Sequence, residues 1–264
     1  TDALQASCDA AAEEGSAGLV LVPAGTFLLS RTVEIPAGVR VVGAGAGPGR
    51  RPRTVFAPRT GATFRTVHPR VQATNGFLFF LNVRSEDPSE WDEPFPQVGT
   101  GGLAHCAIDG RPQTASDVKG LLCAGSVVVE DVSAMAVSTL VRELPRYSDS
   151  VLLRRIHGAR REAFTDPEAD GYFVELGALG DGAVLEQIHL GWNVDAEGPP
   201  PTGVFAENRN ALLMRSCMNG MHRFSNCSVT IESCYQEWGQ LRLDQCRAVL
   251  RGNDLFTRAE GPVP

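Results

Sequence analysis

Five histidines occur in the chain, and two of them, His157 and His189, occupy the same place in a repeating apolar pattern. Imidazole is the side chain best suited to moving protons near neutral pH. Three residues beyond each histidine stands a group that can hold a ring or an anion. Arg160, with Arg161 beside it, can grip a carboxylate bidentately, and Trp192 offers an aromatic face. Asp166 and Asp170 follow at once. Two clustered carboxylates can act as the acid and base of a hydrolysis or ligate calcium through hard oxygens. His157, His189, Asp166 and Asp170 are therefore the candidate catalytic residues, and Arg160, Arg161, Trp192 and Trp91 the candidate binding residues.

These groups come together only if the chain folds so that equivalent positions become neighbours. The pattern is apolar, any, apolar, any, any, small or apolar. It recurs as Val127-Val129-Val132, Val151-Leu153-Ile156, Ala183-Leu185-Ile188, Leu212-Met214-Cys217, Val229-Ile231-Cys234 and, more weakly, Ala248-Leu250-Asn253. Upstream, Leu78-Phe80-Val83 fits and Ala104-Cys106-Asp109 fits loosely. Such self-similarity marks stacked units that cannot bury their apolar faces alone. The regular leucines and asparagines of a leucine-rich repeat are missing. Short strands with turns of variable length suit a β-solenoid, each coil adding about 4.8 Å along the axis. In that register Ser133, His157, His189, Met218 and Tyr235 form one column. Ala136, Arg160, Trp192, Met221 and Trp238 form another.

The seven cysteines contain no CxxC pair, which argues against a zinc site; no metal residues are assigned. Cys217 and Cys234 share a pattern position one coil apart, and Cys227 and Cys246 do likewise. The expectation is a ladder of thiols packed as small apolar groups. Residues 3–14 read as an amphipathic helix with Leu4, Cys8 and Ala11 on one face and Gly15 placed to stop it. Short strands at 19–22, 26–29, 32–35 and 39–42 follow, separated by Pro-Ala-Gly turns. Residues 84–102 interrupt the repeat as a loop excursion, in which Trp91 and Phe95 line a groove or pin the loop.

A net charge of −7 argues against a general nucleic-acid binder. No apolar run approaches the roughly 20 residues of a membrane-spanning helix. Basic charge is concentrated in Arg142, Arg146, Arg154, Arg155, Arg160 and Arg161, a stretch able to steer an anionic polymer.

Two opening segments carry a resemblance. Residues 18–30 read GLVLVPAGTFLLS and residues 32–45 read TVEIPAGVRVVGAG, behind the alanine-rich helix. With the strand LAHCAIDG at 103–110, they resemble the start of the pectate-lyase-like single-stranded right-handed β-helix superfamily. The resemblance implies an all-β, right-handed parallel β-helix over residues 1–264, with an N-terminal capping helix at 1–17. It also implies a secreted protein whose partner is a polysaccharide. Within that superfamily the aspartate motifs of the polygalacturonases are not visible. Thr165 to Asp170 resembles the Asp-Pro-His-Asp of alginate epimerases, but Glu168 stands where the histidine should be.

The expected function is cleavage of an acidic polysaccharide by β-elimination or hydrolysis, with calcium a candidate cofactor. The rival is a non-catalytic rod for glycan binding, of the tail-fibre or adhesin kind, for which a homotrimer would be expected. Fold alone does not choose between them.

Overall fold

The computed structural model describes residues 1–13, 18–45, 53–64, 76–83, 100–112, 118–159, 172–177, 182–191, 202–217, 220–236 and 240–255. Strands Leu19–Leu21, Gly25–Leu29, Val33–Pro36 and Arg40–Val42 stand close to where the sequence puts them. Every strand pairing is parallel, and each joins a strand to one a coil away. The result is a right-handed parallel β-helix whose described coils present three faces.

One face, here face B, stacks Leu19–Leu21, Arg40–Val42, residues 101–104, 127–130, 150–154 and 182–186, then Ala211–Arg215, Ser228–Glu232 and Arg247–Arg251. Its inward column is Val20, Val41, Leu103, Val129, Leu153, Leu185, Met214, Ile231 and Leu250. All but the last are buried, and burying each such side chain contributes about 1.5–3 kcal/mol. Face C follows a corner and stacks Gly25–Leu29, Thr54–Pro58, 106–109, 132–135, 156–159 and 188–191. Face A carries Val33–Pro36, Phe77–Val83, 119–123, 141–143, Val174–Leu176, Thr202–Glu207, Met221–Ser225 and Leu241–Asp244.

The corner between B and C explains the sequence pattern. Along 127–130 side chains alternate inward and outward, as a pleated strand requires. Asp131 then takes a left-handed backbone, φ 52°, and Val132 returns to the interior. The same conformation recurs at His105, Arg155, Gln187, Ser216, Ser233 and Gly252. One left-handed residue shifts the alternation by one, which turns a period of two into apolar-x-apolar-x-x-apolar. Such a backbone is unfavourable for most L-residues; here it recurs coil after coil beneath a continuous apolar stack. A second left-handed column, Asn208, Asn226 and Gln245, turns face A into face B in the last coils. Asn226 donates its side-chain amide to Asn208 Oδ1 at 2.5 Å.

Helix Asp2–Glu13 caps the N-terminal end, burying Cys8 and Ala11. Leu4 is partly buried and packs against the same core. No helix among the described residues is long and apolar enough to cross a membrane. All seven cysteines are free thiols, six of them buried. Tyr235 N donates to Cys217 O and Arg247 N to Cys227 O. These bonds place Cys217 with Cys234, and Cys227 with Cys246, on adjacent coils, as the spacing predicts.

The two upstream repeats are registered differently from the sequence expectation. Leu103, not Cys106, stands in line with Val129, and Cys106 pairs with Val132. Phe80 belongs to face A, paired with Glu34 and Leu122. It joins a separate buried cluster with Phe77, Leu122, Ala124 and Leu144. A long apolar run fits the pattern on any face, so the match did not specify which. The last repeat's Asn253 is polar because its side chain replaces backbone bonds: Cys234 N donates to its Oδ1 at 2.9 Å, and its Nδ2 donates to Ile231 O at 2.9 Å. The expected excursion at 84–102 ends earlier, since a strand already begins at Gly101; residues 84–99 lie outside the described residues.

Candidate functional site: a histidine pair beside a paired carboxylate

Ser133, His157 and His189 stand in register on three successive coils of face C, on its outer side. The two imidazoles meet edge to face, with ring centroids 5.6 Å apart and planes at 71°. They are aligned because Val132, Ile156 and Ile188, one residue earlier, are stacked in the core.

At the corner next to this column sits a group that the sequence reading missed. His105 Nδ1 lies 3.0 Å from Asp131 Oδ2. Arg155 Nε donates to Asp131 Oδ1 at 2.5 Å, and its Nη2 donates to Asp131 Oδ2 at 2.8 Å and to Glu130 Oε1 at 2.5 Å. The hydrogen bonds from Arg155 are the main reason that the Asp131 carboxyl sits below its ordinary pKa. Burial opposes them, while the charges of Arg155, His105 and His157 add to the lowering. Asp131 is thus an ionised group, able to orient an imidazole and to balance its positive form. His105 and Asp131 are 26 residues apart and both occupy left-handed corner positions. In the observed register, with Leu103 in line with Val129 and Cys106 with Val132, both residues fill the slot before the last apolar residue of the repeat, which the pattern leaves open.

Asp166, Asp170, Arg160, Arg161, Trp192 and Trp91 lie outside the described residues. The second column is corrected at one point: Met221 belongs to face A, where it pairs with Thr202. The basic stretch is also less cationic than its composition indicates. Arg142 donates to Glu175, Arg154 bonds Glu186 at 3.0 Å, and Arg155 holds Glu130 and Asp131. Among the described residues no three His, Cys, Asp or Glu side chains converge as a metal site.

No protein-family model and no curated protein matches the sequence. Solved structures do resemble it. The ORF18 protein of Geobacillus virus E2 is 13% identical over 97% of this chain and 58% of its own, with a TM-score of 0.50. The A-module of the mannuronan C-5 epimerase AlgE6 of Azotobacter vinelandii is 14% identical over 96% of this chain and 74% of its own, TM-score 0.45. WceF of Pantoea stewartii, described as a glycan biofilm modifying enzyme with a tailspike-like parallel β-helix fold, is 14% identical over 98% of this chain and 37% of its own, TM-score 0.45. The chain spans well under two thirds of the viral protein and of WceF. At these identities the likeness concerns the fold alone, a right-handed parallel β-helix, which the parallel register of the strands also displays.

Proposed function

We propose that the protein is a carbohydrate-active enzyme that cleaves an acidic polysaccharide by β-elimination, with the His157–His189 pair as its proton-transfer groups. The observation behind this reading is the pair itself, two outward imidazoles in contact on adjacent coils, beside a carboxylate held ionised by arginine.

In this reaction a base removes the proton next to the uronate carboxylate, the glycosidic C–O bond breaks, and the leaving oxygen takes up a proton. His157, the more exposed of the two, serves as the base and keeps the abstracted proton, while His189, entering the step as imidazolium, gives its own proton to the leaving oxygen and becomes neutral. Asp131 stays charged and compensates the imidazolium that forms. Arg160 and Arg161 pair with the substrate carboxylate, where positive charge stabilises the enolate, and Trp192 and Trp91 support sugar rings. Hydrolysis needs a carboxylic acid kept protonated near neutral pH. Asp131 is shifted the opposite way, which favours elimination; Asp166 and Asp170 are the pair through which hydrolysis would run.

The test is incubation with a panel of polyuronates and neutral glycans, following ultraviolet absorbance for unsaturated ends and reducing-sugar release for hydrolysis. Unsaturated ends on uronate polymers alone support the proposal. New reducing ends without unsaturation would move it to hydrolysis, and binding without turnover would favour the non-catalytic rod.

A further inference from the structure

The outer side of face B carries two parallel ladders that meet the histidine site only at Glu130, an acceptor from Arg155. One is charged and strictly alternating: Glu130, Arg154, Glu186, Arg215, Glu232 and Arg251, each in register with the next. Arg154 reaches Glu186 at 3.0 Å, Arg215 reaches Glu232 at 3.3 Å, and Arg251 reaches Glu232 at 3.3 Å. The other lies two residues earlier on each strand: Val128, Leu152, Val184, Leu213, Thr230 and Val249. All but Val249 line an open groove of about 960 Å³, and Val249 continues the stripe in register with Thr230. Val184 and Val249 are exposed, and Val128, Leu152 and Leu213 are half-buried. The groove's other flank is small at Ser150, Gly182, Ala211 and Ser228, and ends on the last coil at the exposed Arg247.

Apolar side chains gathered on a protein surface point to an interaction site, and five of the six rungs of this ladder are aliphatic, Thr230 being the exception. No aromatic residue lines this floor, so it lacks the faces on which sugar rings stack. The charged ladder beside it, three glutamates and three arginines, carries no net charge. What it complements is itself. A two-fold axis parallel to the strands, passing between the coils of Glu186 and Arg215, reverses the order of coils while leaving each ladder facing its own copy. Read backwards, an alternating ladder with an even number of rungs has every sign inverted. Glu130 then opposes the partner's Arg251, Arg154 the partner's Glu232, and Glu186 the partner's Arg215. The same operation sets Val128 against the partner's Val249, Leu152 against the partner's Thr230 and Val184 against the partner's Leu213. Sliding by one coil would place like charges together. The small flank lets the two sheets approach to the usual spacing of about 10 Å.

We propose that face B is an isologous interface, and that the protein forms an antiparallel two-fold dimer over six coils, a contact about 24 Å long at about 4.8 Å per coil. The apolar floor supplies the attraction. The charged ladder, already paired within each chain, supplies register and excludes the parallel arrangement. Face C, with His157 and His189, stays open.

Light scattering on the wild-type protein tests the assembly directly: a mass twice 28.2 kDa is expected, and a monomer at all concentrations or a trimer would overturn the proposal. Val184→Asp and Leu213→Asp each change an outward side chain and should give monomers that still melt cooperatively; a dimer surviving both would also overturn it. The double variant Val128→Cys/Val249→Cys tests orientation. These positions are at opposite ends of the stripe in one chain but opposed in the dimer, so a short bismaleimide should link two chains. A dimer that this reagent fails to link would exclude the antiparallel geometry.

Discussion

Glu143 and Arg209, 66 residues apart in sequence, form an ion pair with both side chains buried inside the coil stack. Glu143 Oε2 also accepts from Gly177 N at 2.8 Å, and Arg209 Nη1 donates to Gly182 O at 3.0 Å. The pair thus joins three coils through backbone as well as side chain. Removing one partner leaves a charge in the interior, which costs about 3–5 kcal/mol. Glu143→Ala and Arg209→Ala should each lower the denaturation midpoint by an amount of that order. A double replacement by apolar residues, Glu143→Leu with Arg209→Met, should cost less than either single change. Urea unfolding of the four proteins checks this, and additive losses would contradict it.

Much of the fold was legible because one physical event, a left-handed residue at the corner, prints a pattern that runs along the chain. Val129, Leu153, Leu185, Met214 and Ile231 could be aligned from sequence, and His157 and His189 came with them. Phe80 could not be placed, since face A also buries apolar residues on its outer side. His105 and Asp131 do not stand out in the sequence because a corner position tolerates many side chains, and nothing in their identity announces that they meet. The alternating ladder is hidden for a related reason: in sequence Arg154 and Arg155 stand in a cationic run, whereas stacking gives each its carboxylates from neighbouring coils.

The histidine pair makes a kinetic prediction. Positioned proton transfer contributes about 10²–10⁴-fold to a rate. His157→Gln should therefore lower kcat for uronate cleavage by that order while KM changes little. His105→Gln, acting only through Asp131, should have a smaller effect. Steady-state kinetics on the most reactive polyuronate would show it. Equal losses in all three variants His105→Gln, His157→Gln and His189→Gln would point to a general structural effect instead.

Asp131 makes a prediction about acid stability. Its folded pKa lies below the ordinary value of 3.8, so the folded state holds its proton less tightly than the unfolded chain. Stability from this group is fully present above about pH 4, around the unfolded value. It is lost as the pH falls through the lower, folded value. Asp131→Asn removes the ionisation altogether. The wild-type advantage over this variant should be constant near neutrality and shrink below about pH 4. Thermal melts of both proteins across that range provide the measurement; a gap that widened on acidification would contradict the assignment.

The thiols give the last prediction. Burial pushes Cys8 up to about 12, with the charge of Asp9 adding to the effect, and raises Cys106 and Cys123 as well. A thiol in that state is neither ionised nor reachable near neutral pH. Cys246 is the one half-buried cysteine, with Sγ donating to Phe224 O at 3.3 Å. Cys234 separates the two causes, since a hydrogen bond from Cys217 draws its pKa down while burial still shuts it away. An aromatic disulfide reagent added to native protein should label Cys246 first and Cys234 only at the rate at which its coil opens. All seven should react at once in denaturant. Fast native labelling of Cys234 would show that ionisation governs reactivity here, and that the last coils are more open than their packing implies.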